Sequence, residues 1–326
     1  MKWNYIKFGD LYAINSRNGL TKPSRVRGNG YKMINMGELF ANDRIYDIPM
    51  ELVPLNDTEK INAKVEVGDL LFARQSLALE GAGKCSIVLE VSPLTVFESH
   101  LIRVRLVNKA NSMFYYYYFR SQLSPIKSIV SQCAQAGIRG SDLQELCIPF
   151  PSKESQDKIA SILEKYDDLI ENNQKQIKLL EEAAQRLYKE WFVDFRFPGY
   201  EDTKFIDGIP DGWFIKSILD NEIFIFAKNG VSEFEGEKKY YATADITGTT
   251  ITTDGETITF ANKPSRAAIQ PLVNSVWFAR MSNTYKILNC YGESSHLAND
   301  SIISSGFAGF TSIEGCYGFV YATIAS

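Results

Sequence analysis

Metal chemistry has few ligands to work with in this chain. Five cysteines, Cys85, Cys133, Cys147, Cys290 and Cys316, stand far apart with no Cys-x-x-Cys pair, and only His100 and His296 are available to join them. That spacing fits reduced thiols and argues against zinc. Pro210-Asp211 followed by Glu237-Lys238-Lys239 meets the loose pattern of metal-dependent nucleases. The segment Ile209-Pro210-Asp211-Gly212-Trp213 also reads as a turn, however, and the first half of the chain has no counterpart. Neither Asn-Pro-Pro nor Asp-Pro-Pro occurs, so a DNA methyltransferase loop is missing, as is a glycine-rich cofactor turn. The chemistry that remains is charge and hydrogen bonding. From Leu11 to Gly37 there is no acidic residue, while Arg17, Lys22, Arg25, Arg27 and Lys32 are all basic. A second acid-free stretch, Thr257 to Gly292, carries Lys263, Arg266, Arg280 and Lys286. Lysine and arginine without local acid are what phosphate contacts require, although acid-free stretches also occur as ordinary solvated loops.

The whole-chain balance points the other way. The formal net charge is −4 over 326 residues, which by itself disfavours a nucleic-acid partner. The acid is concentrated between Glu154 and Asp194, where ten Asp or Glu face six Lys or Arg. At this length two units plus a connector are expected, and a composition of 45% hydrophobic and 23% charged residues is that of a globular protein. The amino terminus, Met1-Lys2-Trp3-Asn4-Tyr5-Ile6-Lys7, lacks the apolar run of a signal peptide, and no stretch approaches a membrane helix. A cytoplasmic protein with no membrane partner is expected.

Residues 1–150 read as short strands punctuated by Gly28-Asn29-Gly30, Pro49, Pro54, Gly68-Asp69 and Gly81-Ala82-Gly83. Two segments there, Met113 to Leu123 and Ile126 to Ala136, read as helical. Residues 151–198 differ, since no Gly or Pro interrupts Ser152 to Phe197. Ser152 is placed to cap the first turn, and Glu154 suits the positive end of the helix dipole. Ile159, Leu163, Tyr166, Ile170, Asn173, Ile177, Leu180, Ala184, Leu187 and Trp191 follow at alternating spacings of four and three, a heptad seam. About 40 helical residues span roughly 60 Å, too long for one small domain to cover, so a partner helix is expected. Asn173 either fixes register on that seam or is simply exposed.

After Pro198-Gly199 the first unit starts again. Trp3 with Lys7-Phe8-Gly9-Asp10 resembles Trp213 with Lys216-Ser217-Ile218-Leu219-Asp220, at an offset of 210. Leu71-Phe72-Ala73-Arg74 resembles Trp277-Phe278-Ala279-Arg280, and Phe97-Glu98-Ser99 lines up with Ile303-Ser304-Ser305, both at 206. A nearly constant offset favours a duplicated domain, so 199–326 is read as a second copy.

Several stretches resemble the conserved region of type I restriction-modification specificity subunits. They are Gln135-Ala136-Gly137-Ile138-Arg139, Leu143 to Pro151, Gln156-Asp157-Lys158-Ile159-Ala160-Ser161-Ile162-Leu163, Asp167-Asp168-Leu169-Ile170-Glu171 and Leu187 to Gly199. Gly68 to Gln75 and Gly306-Phe307-Ala308-Gly309-Phe310 resemble strand motifs of the family's target-recognition domains. The resemblance implies an α+β chain with two mixed α/β target-recognition domains, 1–150 and 199–326, joined by a long coiled-coil-type helix, 151–198. Each domain would read one half of a split double-stranded DNA site. The helix would bind modification (methyltransferase) subunits, with restriction (motor and endonuclease) subunits joining through the complex. S-adenosylmethionine, ATP and Mg would belong to those partners, and no cofactor, metal or catalytic residue to this chain. By its position after a strand, Arg74 with Gln75 joins the basic residues above as a candidate DNA contact, and so do Arg280 and Asn283 by the repeat. Arg and Gln match guanine and adenine edges, while the plainer reading of each is a salt bridge or a solvated side chain.

Two departures from the family pattern stand out. Glu154-Ser155-Gln156 replaces the usual Glu-Glu-Gln, and the chain stops at Ser326, before a second long helix. On that ground the second domain is expected to be C-terminally incomplete, and the first helix to pair with a second copy or with a modification subunit. Such a homodimer would recognise an inverted repeat of one half-site. A non-productive protein that sequesters modification subunits is the alternative.

Overall fold

The computed structural model describes residues 3–132, 136–218 and 220–326. Cys133, Gln135 and Leu219, named above, lie outside the described residues, as do Met1, Lys2 and Ala134. The chain divides into two units, Met1–Asn172 and Asn173–Ser326, each a mixed α/β arrangement, and the helix Lys153–Tyr188 belongs partly to one and partly to the other.

The first unit is organised by the strand Leu70–Ala73, all of whose residues are buried. It lies third in a five-stranded sheet ordered Tyr12–Asn18, Leu101–Leu106, Leu70–Ala73, Cys85–Val88, Arg44–Ile45. Alternate side chains leave a strand on opposite faces, and here each face meets a different core. Leu70 and Phe72 pack with Phe8, Tyr115 and Phe119 under the helix Ser112–Arg120. Leu71 and Ala73 pack with Met33, Ile34, Val53 and Phe97, which belong to a three-stranded sheet of Glu51–Val53, Tyr31–Ile34 and Val96–Phe97. A continuous apolar run is what burial on both faces requires.

Ser112–Arg120 is helical where the sequence places a helix, with the Asn111 side chain accepting from Phe114 N. The described part of Ile126 to Ala136 is not an α-helix. It forms the 3-10 turn Pro125–Ile129 and the strand Ser131–Gln132, which pairs with Ala136–Gly137. Ala136–Gly137 in turn pairs with Gln75–Ser76. The ladder through Ala136–Gly137 to Gln75–Ser76, a contact between segments far apart in the chain, ends the helical winding.

The second unit repeats these pairings. Tyr31–Ile34 runs antiparallel to Glu51–Val53 and parallel to Val96–Phe97; Lys238–Tyr241 runs antiparallel to Glu256–Ile258 and parallel to Ser301–Ser304. Leu70–Ala73 lies between Leu101–Leu106 and Cys85–Val88; Ser275–Ala279 lies between Phe307–Ser312 and Ile287–Cys290. Even the face assignment is kept. Val276 and Phe278 pack toward Val320 of the helix Tyr317–Ala325, and Trp277 and Ala279 toward Ile303 and Phe307.

The long helix starts as its sequence dictates. Ser155 N donates to Ser152 Oγ at 3.3 Å, and Ser155 Oγ lies 2.9 Å from the same atom. Gln156 is fully buried and satisfied, donating to Pro151 O and accepting from Asn111 N. Beyond Tyr188 the winding loosens into a π turn, Lys189–Val193. There Phe192 packs between Phe319 and Trp213, and Phe195 takes a left-handed φ of 55°.

Candidate nucleic-acid interface

Arg74 follows the doubly buried strand. Its backbone N donates to His100 O at 2.8 Å and its guanidinium reaches Ser99 O at 3.4 Å. Arg280 follows the equivalent strand, with its N donating to Gly306 O at 2.9 Å and Nη2 to Ser305 O. These partners are related by the same offset of 206 seen in the sequence. Both arginines are therefore held by a peptide carbonyl, which fixes the side chain without cancelling its charge. Gln75 lies beside Arg74 on a short strand and lines a cleft with Met36, Phe40, Leu77 and His100.

The amino-terminal basic run is less free than its sequence suggests. Lys22 pairs with Glu59 at 2.8 Å, Arg27 with Glu51 at 2.6 Å and Lys32 with Asp47 at 2.8 Å. The acid absent from Leu11 to Gly37 comes from other segments of the same unit, so an acid-free run is not an acid-free surface. Arg25 is exposed and has no side-chain partner among the described residues. Among the described residues the Arg17 side chain hydrogen-bonds only to the Asn62 carbonyl, at 3.3 Å. The loop and the Arg74 turn do meet, since Ser99 N donates to Leu20 O while Ser99 O accepts from Arg74.

In the second unit Ser305 gathers two candidates, accepting from Arg280 and donating its N–H to Arg266 O at 2.8 Å. The Arg266 side chain is exposed. Lys263 donates to Ala267 O at 3.3 Å and Lys286 to Thr243 O at 2.7 Å. Asn283 sits in a turn at φ 56°, a left-handed conformation that asparagine tolerates, so the turn itself accounts for this residue. Pro210 lies in a two-stranded hairpin, and Lys238 and Lys239 donate to Asn299 O and Thr257 Oγ1. Among the described residues no group of His, Cys, Asp and Glu could hold a metal, and nothing here supports the nuclease pattern. No helix among them is long and apolar enough to cross a membrane.

Sequence reasoning missed three arginines. Arg103 and Arg105 alternate on Leu101–Leu106 and so share a face, a signal readable once the strand is known. Arg44 gave no signal. It is buried against the long helix, with Nη2 2.7 Å from Asp168 and Nη1 3.3 Å from Glu171.

The helix carries two stripes. Ala160, Asp167 and Glu171 face the first unit, where Tyr117 donates to Asp167 and Tyr46 to Glu171. Glu181 and Gln185 face the second, meeting Tyr321 and Ala325. The seam residues stand one position earlier, about 100° around the helix. Ile159 is half-buried, but Leu163, Tyr166, Ile170, Ile177, Leu180 and Leu187 are exposed, Leu180 by 70%. Asn173 and Ala184 are exposed beside them, and Trp191 is half-buried.

A family model described as the type I restriction modification DNA specificity domain matches residues 1–182. The chain belongs to this family. Among its curated relatives, the type I restriction enzyme MjaIX specificity subunit of Methanocaldococcus jannaschii is 39% identical over 115 residues, 33% of this chain and 27% of that one. The MjaX specificity subunit from the same organism, itself given as putative, is 26% identical over 234 residues, 68% and 53% of the two chains. The chain thus spans about half or less of the length of these relatives. The crystal structure of a type I restriction-modification S subunit from M. genitalium aligns over 99% of this chain and 76% of its own, at 15% identity and a TM-score of 0.47.

Proposed function

We propose that this chain is the DNA-reading component of a type I restriction-modification complex, each unit reading one half of a split duplex site. The observation that carries this is the pair Arg74 and Arg280. Two arginines stand in equivalent turns, after equivalent strands, each held by a carbonyl with its charge unspent. A guanidinium so placed suits the O6 and N7 atoms of guanine in the major groove. Arg17, Arg25 and Arg266, which have no carboxylate partner, would add phosphate contacts. Lys22, Arg27 and Lys32 would contribute less, because their charge is already met. Methyl transfer and cleavage, with S-adenosylmethionine, ATP and Mg, fall to the modification and restriction subunits.

The exposed seam supports a role for the long helix in assembly. Six large apolar or aromatic side chains along one stripe are what a partner helix would cover, whether from a modification subunit or from a second copy of this chain. The same stripe favours the second reading, a protein that occupies modification subunits without directing them.

The deciding experiment maps methylated motifs in the genome of cells carrying this chain with its modification subunit. A split motif whose two halves respond separately to Arg74→Ala and Arg280→Ala is the expected result. Co-purification with the modification subunit but no methylated motif would favour sequestration, and loss of both association and methylation would end the proposal.

A further inference from the structure

The first unit carries a cationic cleft of which the reading above uses only Arg17. It has a volume of about 490 Å³ and is lined by Arg17, Asn62, Lys64, Glu66, Arg103 and Arg105, among others. Arg17 and Arg103 are direct partners across the antiparallel strands Tyr12–Asn18 and Leu101–Leu106. Like charges directly opposite in a sheet destabilise it. The two carboxylates nearby are already taken, since Arg105 grips Asp69 through two nitrogens at 2.7 and 2.8 Å and Glu66 through a third at 2.7 Å. Among the described residues the side-chain hydrogen bonds of Arg17 and Arg103 reach carbonyls only, those of Asn62 at 3.3 Å and Lys64 at 2.6 Å, and the Arg103 guanidinium lies over the Phe97 ring. Arg103 is 4% exposed, its Nε is buried without an acceptor, and its Nη2 has no hydrogen-bond partner among the described residues. Burial first, then Arg105 and Arg17, pull its pKa below the usual guanidinium value, against the opposing pull of Asp69 and Glu66. A buried cation that no carboxylate directly pairs is costly unless something supplies that partner.

We infer that this cleft is a phosphate-binding site, in which one phosphoryl group accepts hydrogen bonds from Arg17 and Arg103 together. A phosphate between two guanidiniums replaces their repulsion with charge-assisted hydrogen bonds. Among the described residues the second unit has no counterpart of Arg103. The position equivalent to Arg103 by the offset of 206 is Gly309, paired in register with Trp277 as Arg103 is with Leu71. A Cβ there would lie 2.4 Å from the Trp277 ring. The inference rests on the proposed function only for the source of the phosphate, which is either the DNA backbone or the free ion.

The test compares the full chain with Arg17→Gln, an exposed position, and with Arg103→Lys, which keeps the charge but not the forked geometry. Thermal midpoints are read in inorganic phosphate against chloride at equal ionic strength, and duplex affinity is read as a function of salt. If the DNA backbone is the source, Arg17→Gln and Arg103→Lys each weaken specific and random duplexes alike, and Arg17→Gln also lowers the slope of log affinity against log salt by about one; a loss confined to Arg17→Gln makes it a lone phosphate contact and overturns the shared site. If free phosphate is the source, phosphate raises the midpoint of the parent but not of the variants, and the slope is unchanged. Variants that match the parent in both readouts overturn the site. A parent that binds no duplex overturns the proposed function instead, and the phosphate arm still decides the cleft.

Discussion

The contact between Arg44 and the long helix makes an asymmetric test of how the helix is anchored. The Arg44 side chain is 7% exposed, whereas its partners Asp168 and Glu171 are 59% and 29% exposed. Removing the arginine and removing the acids are therefore different perturbations. Arg44→Met keeps the buried stem and leaves two carboxylates that water already reaches, so a cost of about 1 kcal/mol is expected, in the range of a modest ion pair. The double variant Asp168→Asn, Glu171→Gln keeps the shapes but strands a buried guanidinium whose Nε already has no acceptor. Breaking a buried pair in this way costs roughly 3–5 kcal/mol when no water enters. Partial exposure of the acid side reduces that to about 2–3 kcal/mol. Adding Arg44→Met to the double variant is expected to restore part of the loss, because it removes the stranded charge. Hydrogen exchange of the segment from Asp167 to Asn172 in the full chain measures the local opening in each case. If Arg44→Met opens the helix as much as the double variant, or if the triple variant is the worst of all, the argument from unequal burial is wrong.

Three further outcomes follow from the contacts described. Arg74→Ala and Arg280→Ala are each expected to weaken binding to the methylated target by about 1–3 kcal/mol and to relax sequence preference in one half only, measured by competition between duplexes; an equal loss on random DNA would make them phosphate contacts. Ile177→Asp with Leu180→Asp changes exposed positions, so the unfolding free energy should change by no more than about 0.5 kcal/mol per site while association with the modification subunit, read by size-exclusion chromatography, is lost. The Glu59 carboxyl is held below its ordinary value of 4.5 by the Lys22 hydrogen bond, despite partial burial. Because the folded-state pKa is the lower one, that contact stabilises above 4.5 and fades as pH falls through the depressed value. Glu59→Gln should therefore be less stable than the parent at neutral pH and converge with it in acid, as read by urea denaturation at each pH.

The long helix was legible in the sequence because its signals are local. Ser152 caps it, no Gly or Pro breaks it, and the spacing from Ile159 to Leu187 is sustained. The duplication was legible because Arg74 and Arg280 carry their neighbours with them at one offset. What escaped depends on residues far apart in the chain. The basic run from Arg17 to Lys32 looked uncompensated only because Asp47, Glu51 and Glu59 fold back onto it. Arg44 meets Asp168 across 124 positions, and no periodicity announces such a pair. Ile126 to Ala136 was misread because a two-residue ladder to Gln75–Ser76 overrides local propensity.

The strand Leu70–Ala73, buried on both faces, bears on how quickly and how cheaply the turn after it can engage a ligand. A segment with a core on each side opens only when much of the unit opens, so Arg74 projects from one of the least mobile places in the fold. An arginine side chain carries about 2 kcal/mol of rotamer entropy, and ordering a side chain at an interface normally subtracts part of that from affinity. Here the backbone is fixed by the strand and the guanidinium is already held against Ser99 O. If Arg74 reads a base as proposed, much of the ordering would be complete before the base arrives, and discrimination between a right and a wrong base edge would then rest mainly on hydrogen bonds.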